Sequence, residues 1–153
     1  MTRLALLVST FGPVGHSPIA PGTAGSAAAL VLIALIRMAG SPTLEVAAIF
    51  VLLLVGTWSA GEAERALGRP DPGEVVIDEV TGMLVTLALI PVGVTGALVG
   101  FVLFRVFDII KPYPCSRLEG LGGGTGIMAD DVMAGVYGNV VLRVLLWLAP
   151  SIA

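Results

Sequence analysis

The chain has 153 residues, of which 56% are hydrophobic and 12% charged, and its formal net charge is -3. Soluble domains carry about one-quarter charged residues, so this composition, with a mean hydropathy of +0.99, points to a membrane protein. The acidic balance and the lack of a basic run exclude a nucleic-acid partner, the single Cys115 excludes an internal disulfide, and the length suits one domain, 1–153.

The first residues, MTRLALLVSTFG, hold one Arg and a short apolar run. No small-residue cleavage site follows, so they read as a retained short helix or interfacial segment. A Gly/Pro-rich stretch, GPVGHSPIAPGTAGS, spans 12–26. The first apolar segment then runs from about 24 to 39 and the second from 46 to 60, with Gly40-Ser41-Pro42-Thr43 as the turn between them. Residues 80–104 carry no charge, but Pro91-Val92-Gly93 lies near their centre. That turn predicts two helices, roughly 76–90 and 94–110. The last segment runs from 132 to 149, carries Arg143 and ends at Pro150.

These runs are Leu/Ala-rich and do not alternate, so strands are not expected. The expected fold is an all-α compact bundle, integral to the membrane, with about four spanning helices and a short N-terminal helix. Several segments fall short of the ~20 residues of a standard span, which leaves a soluble helical bundle as the alternative. Gly96-x-x-x-Gly100 permits close helix packing, within a chain or between chains.

If 24–60 and 76–110 are both hairpins, the polar stretches 15–26, 61–79 and 105–131 share one membrane face. That face carries Arg65, Arg69, Arg105, Lys111 and Arg117. The opposite turns, 40–45 and 91–95, carry no Lys or Arg, although Arg37 lies close to the first. The positive-inside rule then makes the motif face cytoplasmic.

Two adjacent acidic pairs stand out, Asp78-Glu79 in VVIDEVTGM and Asp130-Asp131 in GIMADDVMAG. Paired carboxylates beside apolar sequence are costly unless a cation or base neutralises them. Hard oxygen ligands suit Mg²⁺ or Mn²⁺. Gly82 follows Asp78 by four residues, which predicts room beside the acids for an ion or a phosphate, and Gly135 likewise follows Asp131 by four. The glycines 122–126 read as a flexible loop leading to the second pair. Arg105, Asp108 and Lys111 recur at i, i+3 and i+6, before Pro112 and Pro114 end the helix. One acid between two cations fits a phosphate ester with its metal. Gly22 and Thr23, at a helix start, offer further donors to an anion. The bland readings are an N-cap, solvated helix starts and a boundary ion pair. His16, the only histidine, reads as a loop hydrogen-bonder.

Other phosphatase chemistries fail by absence. Leu121 stands where a Cys-based phosphatase beginning at Cys115 would need Arg. There is no second histidine and no Asp-x-Asp pair. Metal-assisted attack by water or a carboxylate remains.

Four stretches in order, SPIAPGTAGS (17–26), IDEVTGM (77–83), FRVFDIIKPYP (104–114) and GTGIMADDVMAGV (124–136), resemble the phosphatidylglycerophosphatase A family. The resemblance implies an all-α, Mg²⁺-dependent membrane phosphatase that converts phosphatidylglycerophosphate to phosphatidylglycerol. On this reading Asp78, Glu79, Asp108, Asp130 and Asp131 supply metal ligands and the general base. Arg105 and Lys111, with Gly22 and Thr23, hold the phosphate. The enzyme would be multi-pass in the inner membrane with its site facing the cytoplasm.

The alternatives are a phosphotransferase acting on CDP-linked lipid alcohols and a membrane cation carrier. The first lacks its Asp-Gly-x-x-Ala-Arg pattern, since Val132 follows Asp131. The second needs acids at mid-membrane, and Arg105 and Lys111 would repel its cargo.

Overall fold

The computed structural model describes residues 2–152, and among them no strand occurs. Helix α1 spans Thr2–Ser9, and a short 3-10 turn follows at Val14–His16. Helix α2 spans Pro21–Met38, with proline in the first turn, where its missing N–H costs nothing. Helix α3 spans Pro42–Leu67; Ser41 caps it by accepting from the Leu44 N–H, and Gly68 in the left-handed conformation ends it. Helix α4 spans Ile77–Leu87 and α5 spans Val94–Ile110. The break falls at 88–93, as the Pro91 turn predicts. After the short α6, Cys115–Leu118, and a 3-10 turn at Glu119–Leu121, helix α7 runs from Gly123 to Leu148, and a last 3-10 turn covers Pro150–Ile152.

Helices α2, α3 and α7 are long and apolar enough to cross a membrane. Helix α5, with 17 residues, stands at the short end of that range. Their outer faces expose Val31, Leu35, Phe50, Leu54, Val102, Val140 and Val144, as lipid-facing helices do. Helix α4 is different. Its 11 residues reach only about 16 Å, and it packs against α2, α3, α5 and α7. Val80, Met83, Leu84 and Leu87 are almost wholly buried and form the centre of the core with Phe104 and Leu142.

A helix that stops inside the protein leaves carbonyls without partners. Three polar side chains at the far end, away from the motifs, meet that need, and a fourth, Glu45, takes an N–H just beyond the helix. The Arg37 Nη2 donates to the Leu87 carbonyl at 2.7 Å, and the Leu89 N–H donates to Glu45 at 2.9 Å. The Asn139 amide donates to the carbonyls of Val85, Thr86 and Ala88, and Arg143 donates to Ala88. Arg37 and Glu45 also pair with each other at 3.2 Å.

Gly82, one turn below Asp78, has a role other than the one expected of it, which it shares with Gly135, one turn below Asp131. A Cβ on Gly82 would lie 2.5 Å from the Phe104 ring and 2.7 Å from the Asp131 carbonyl oxygen, and a Cβ on Gly135 would run into the Gly82 carbonyl. The space is therefore taken up by the crossing of α4 and α7 rather than kept for a ligand. Gly135→Ala sets a methyl group against backbone that cannot yield. We expect it to cost about 1–3 kcal/mol or more and to abolish activity, with thermal unfolding in detergent as the measurement; an unchanged midpoint would contradict the crossing. Gly96 and Gly100 also serve packing within the chain, against Val92 and the Ile152 carbonyl and against Leu87 and Leu142.

The expected glycine loop before Asp130 is mostly helix. Only Gly122 and Gly123 take positive φ, and α7 begins at Gly123. Gly124 and Gly126 lie inside the helix, with Thr57 and Gly61 packed against the first and Glu119 against the second. Asp130 and Asp131 thus sit two turns into α7 rather than at its start.

Candidate active site

The chain folds so that the motif stretches gather at one end. The Val76 N–H donates to the Ser9 carbonyl at 2.9 Å, which ties α1 to the start of α4. Gly22, in the first turn of α2, lies directly against the carboxylate of Glu79, with Arg105 of α5 beside it. A side chain at position 22 would fill that contact. The Thr23 side chain, by contrast, is exposed.

Asp78 and Glu79 open α4, and Asp131 faces them from α7 across the glycine crossing. Each offers one oxygen, and these oxygens all lie within 4.8 Å of one another. Asp78 and Asp131 are only 7% and 3% exposed. The Oδ1 of Asp78, the Oε2 of Glu79 and the Oδ2 of Asp131 are buried without a hydrogen-bond donor. Unpartnered carboxylate oxygens are expensive in an apolar surrounding. Three converging from two helices fit a divalent cation with oxygen ligands.

Asp108, within hydrogen-bonding reach of Asp131, and Asp130, whose Oδ1 is also buried without a partner, each pair with a cation. Asp108 Oδ2 lies 2.6 Å from Arg105 Nη1, which is also 3.9 Å from Glu79 Oε1. Asp130, next to Asp131 but rotated about 100° around the helix, pairs through Oδ2 with Lys111 Nζ at 2.8 Å. Lys111 does not continue the face of Arg105 and Asp108. The helix ends at Ile110, and Lys111 turns off it in the left-handed conformation, φ 47°. Its ammonium then reaches both Asp130 and Glu119, the latter at 3.1 Å. Burial works against the charged form of Lys111, but the two carboxylates outweigh it and push its pKa above the ordinary lysine value. Lys111 is a standing cation at neutral pH, suited to binding an anion and not to giving up a proton.

Arg105 completes the set. Its Nε is buried without a partner, and its Nη1, though near Asp108, lies outside hydrogen-bonding geometry with it. A guanidinium with free donors beside three carboxylates can take the oxygens of a phosphate.

Two residues near the site were not singled out from the sequence. Glu119 is the only acid between Asp108 and Asp130, which was its one signal. Asp71, in the loop before α4 with φ 41°, lies near enough to feel the charges of Lys111, Glu119 and Asp108; it follows Arg69-Pro70 in a turn-like stretch that gave no hint of this. His16 is exposed and lines a surface cleft with Arg69 and Glu74.

The chain is similar over most of its length to several known proteins. A protein of Haemophilus influenzae named phosphatidylglycerophosphatase A is 38% identical over 147 residues, covering 93% of this chain and 88% of its own. Its namesake in Escherichia coli is 36% identical over 140 residues, covering 90% and 80%. A Bacteroides thetaiotaomicron protein named putative phosphatidylinositol-3-phosphatase is 38% identical over 151 residues, covering 94% of each chain. No solved structure matches. The family model described as phosphatidylglycerophosphatase A matches residues 7–146. With its helices and acids so arranged, the chain belongs to the phosphatidylglycerophosphatase A family, whose members are phosphoric monoester hydrolases.

Proposed function

We propose that this protein removes the terminal phosphate of phosphatidylglycerophosphate, giving phosphatidylglycerol and inorganic phosphate, with Mg²⁺ or Mn²⁺ held by Asp78, Glu79 and Asp131. The observation that carries the reading is the meeting of three carboxylates with unpartnered oxygens beside Arg105. When bound, the cation offsets the clustered negative charge and polarises a phosphoryl oxygen.

The remaining chemistry belongs to the chain's own side chains. Arg105 binds phosphate oxygens through donors that are free in this structure. Lys111, held by Asp130 and Glu119, adds a fixed positive charge at the edge of the site. Gly22 lets the start of α2 come into direct contact with Glu79, and backbone N–H groups there, that of Thr23 among them, are donors for the incoming anion. Asp108, beside Arg105 and Asp131, takes a proton from the attacking water. The water oxygen bonds to phosphorus, the bond to the glycerol oxygen breaks, and that oxygen regains a proton from solvent.

The three apolar helices place the protein in a membrane. Arg65, Arg69, Arg105, Lys111 and Arg117 lie toward the site end, which supports a multi-pass protein of the inner membrane with its site facing the cytoplasm. The whole of 1–153 acts as one domain on this reading.

The purified protein in detergent is expected to release phosphate from phosphatidylglycerophosphate with Mg²⁺ and to lose that activity in excess chelator. Full activity in chelator would rule out the metal. The name of the Bacteroides relative supplies a second substrate to set beside the first, phosphatidylinositol 3-phosphate, another lipid phosphomonoester. The lipid with the higher kcat/KM identifies the headgroup.

A further inference from the structure

A lipid substrate must bring its phosphate to buried acids while its tails stay in hydrocarbon. Helices α2 and α5 both pack on α4 and leave a furrow of about 350 Å³, lined by Leu30, Ile33 and Ala34 of α2, by Val94, Ala97 and Leu98 of α5, and by Leu87 and the 92–93 turn. The lining is apolar apart from Arg37 at its far end, whose guanidinium is engaged by Glu45 and the Leu87 carbonyl.

The furrow sits on the far halves of α2 and α5, toward the 88–93 break, and two rows of residues connect it with the site. On α2, Gly22, Ser26, Leu30 and Ile33 follow one another at helical spacing along one face. On α5, Arg105, Phe101, Leu98 and Val94 do the same in the opposite direction. Gly22 and Arg105 meet beside Glu79 at the near end of both rows. From Arg105 to Val94 is about 16 Å along the helix. The mouth is flanked by Ile19, 82% exposed just before α2, and by Ile109, 71% exposed one turn beyond Arg105. Both suit a position among lipid headgroups and upper tails, which favours entry from the bilayer.

We propose that the furrow between α2 and α5 seats an acyl chain of the phosphomonoester lipid and admits the headgroup laterally to Arg105 and the three acids. The inference rests on the lipid-phosphatase reading and adds the substrate's route and orientation. The acyl chain lies along α2 and α5, the phosphate faces Arg105 at the mouth, and Ala34 and Leu98 touch the tail.

The test uses the full-length protein in lipid nanodiscs with a phosphatidylglycerophosphate carrying a diazirine at mid-chain. Illumination in chelator records where the tail lies without turnover. Adducts are expected to concentrate on residues 30–37 and 94–102. An excess of unlabelled phosphatidylglycerophosphate should displace them, and phosphatidylcholine should not. Ala34→Trp fills the furrow; it should remove these adducts and raise KM for the long-chain lipid about tenfold with kcat little changed. Leu54→Trp, on the exposed face of α3, should change neither. Adducts spread evenly over α2, α3, α5 and α7, or equal effects of the two tryptophans, would overturn the furrow. Concentrated adducts without phosphate release by the wild type, tested with Mg²⁺, would uphold the furrow and sink the phosphatase reading. Phosphate release with evenly spread adducts would do the reverse.

Discussion

Asp131→Asn lowers phosphate release on the order of 10³-fold or more and raises the thermal midpoint of the metal-free protein. Both effects follow from one arrangement. Asp131 shares a buried space with Asp78 and Glu79, and three like charges there repel one another when no cation is present. The amide keeps the size of the side chain and removes one charge. Asp130→Asn gives the opposite stability change, because Asp130 is paired with Lys111 at 2.8 Å. Neighbours in sequence thus differ in sign. Unfolding in detergent, with chelator and then with Mg²⁺, is the measurement, and Mg²⁺ should stabilise the wild type much more than Asp131→Asn. A lower metal-free midpoint for Asp131→Asn would mean that the trio is not a repulsive cluster awaiting a cation.

The second large effect lies at the far end. Arg37→Met leaves Glu45, only 6% exposed, as a buried charge that has lost its partner, and also strips a donor from the Leu87 carbonyl. Breaking a buried pair from one side costs about 3–5 kcal/mol. Adding Glu45→Gln should recover part of the loss, since a glutamine oxygen can still accept from the Leu89 N–H. Chemical denaturation of the wild type, the single variant and the double variant measures the coupling. A loss of about 1 kcal/mol or less, the range of a surface pair, would show that Arg37 is not holding the end of α4.

Much of this architecture could be read from residues near one another in the chain. Pro91-Val92-Gly93 was enough to divide 80–104, because proline and glycine act locally. The shared face of the motif stretches followed from two hairpins. The partition of the five acids did not. It depends on the angle at which α7 crosses α4, which turns Asp131 toward Asp78 and Asp130 toward Lys111, and no local pattern encodes that angle. Lys111 was placed on the helical face of Arg105 and Asp108 by its spacing, but the Pro112 that ends the helix also lets Lys111 swing off it. Proline disfavours helical conformation in the residue before it, so this departure was available in the sequence. The far-end clamp was invisible for a different reason. Arg37, Glu45, Asn139 and Arg143 come from three separate helices, and what joins them is the premature end of a fourth.

That short fourth helix constrains the order in which the chain can be assembled. Residues 77–87 carry two acids at one end and unpaired carbonyls at the other, so as a free segment in lipid they would be unwelcome. The clamp on α2 and α3 is synthesised before them, but of its members only Arg37 donates to one of their carbonyls, that of Leu87. Asn139, Arg143 and Asp131 all arrive last, on α7. Until the ribosome has released that helix, the centre of the protein is open on one side, and neither the core nor the acid trio exists. A chain cut short before residue 123 would therefore be a substrate for membrane quality control, and completing the enzyme's core and completing its active site are one event.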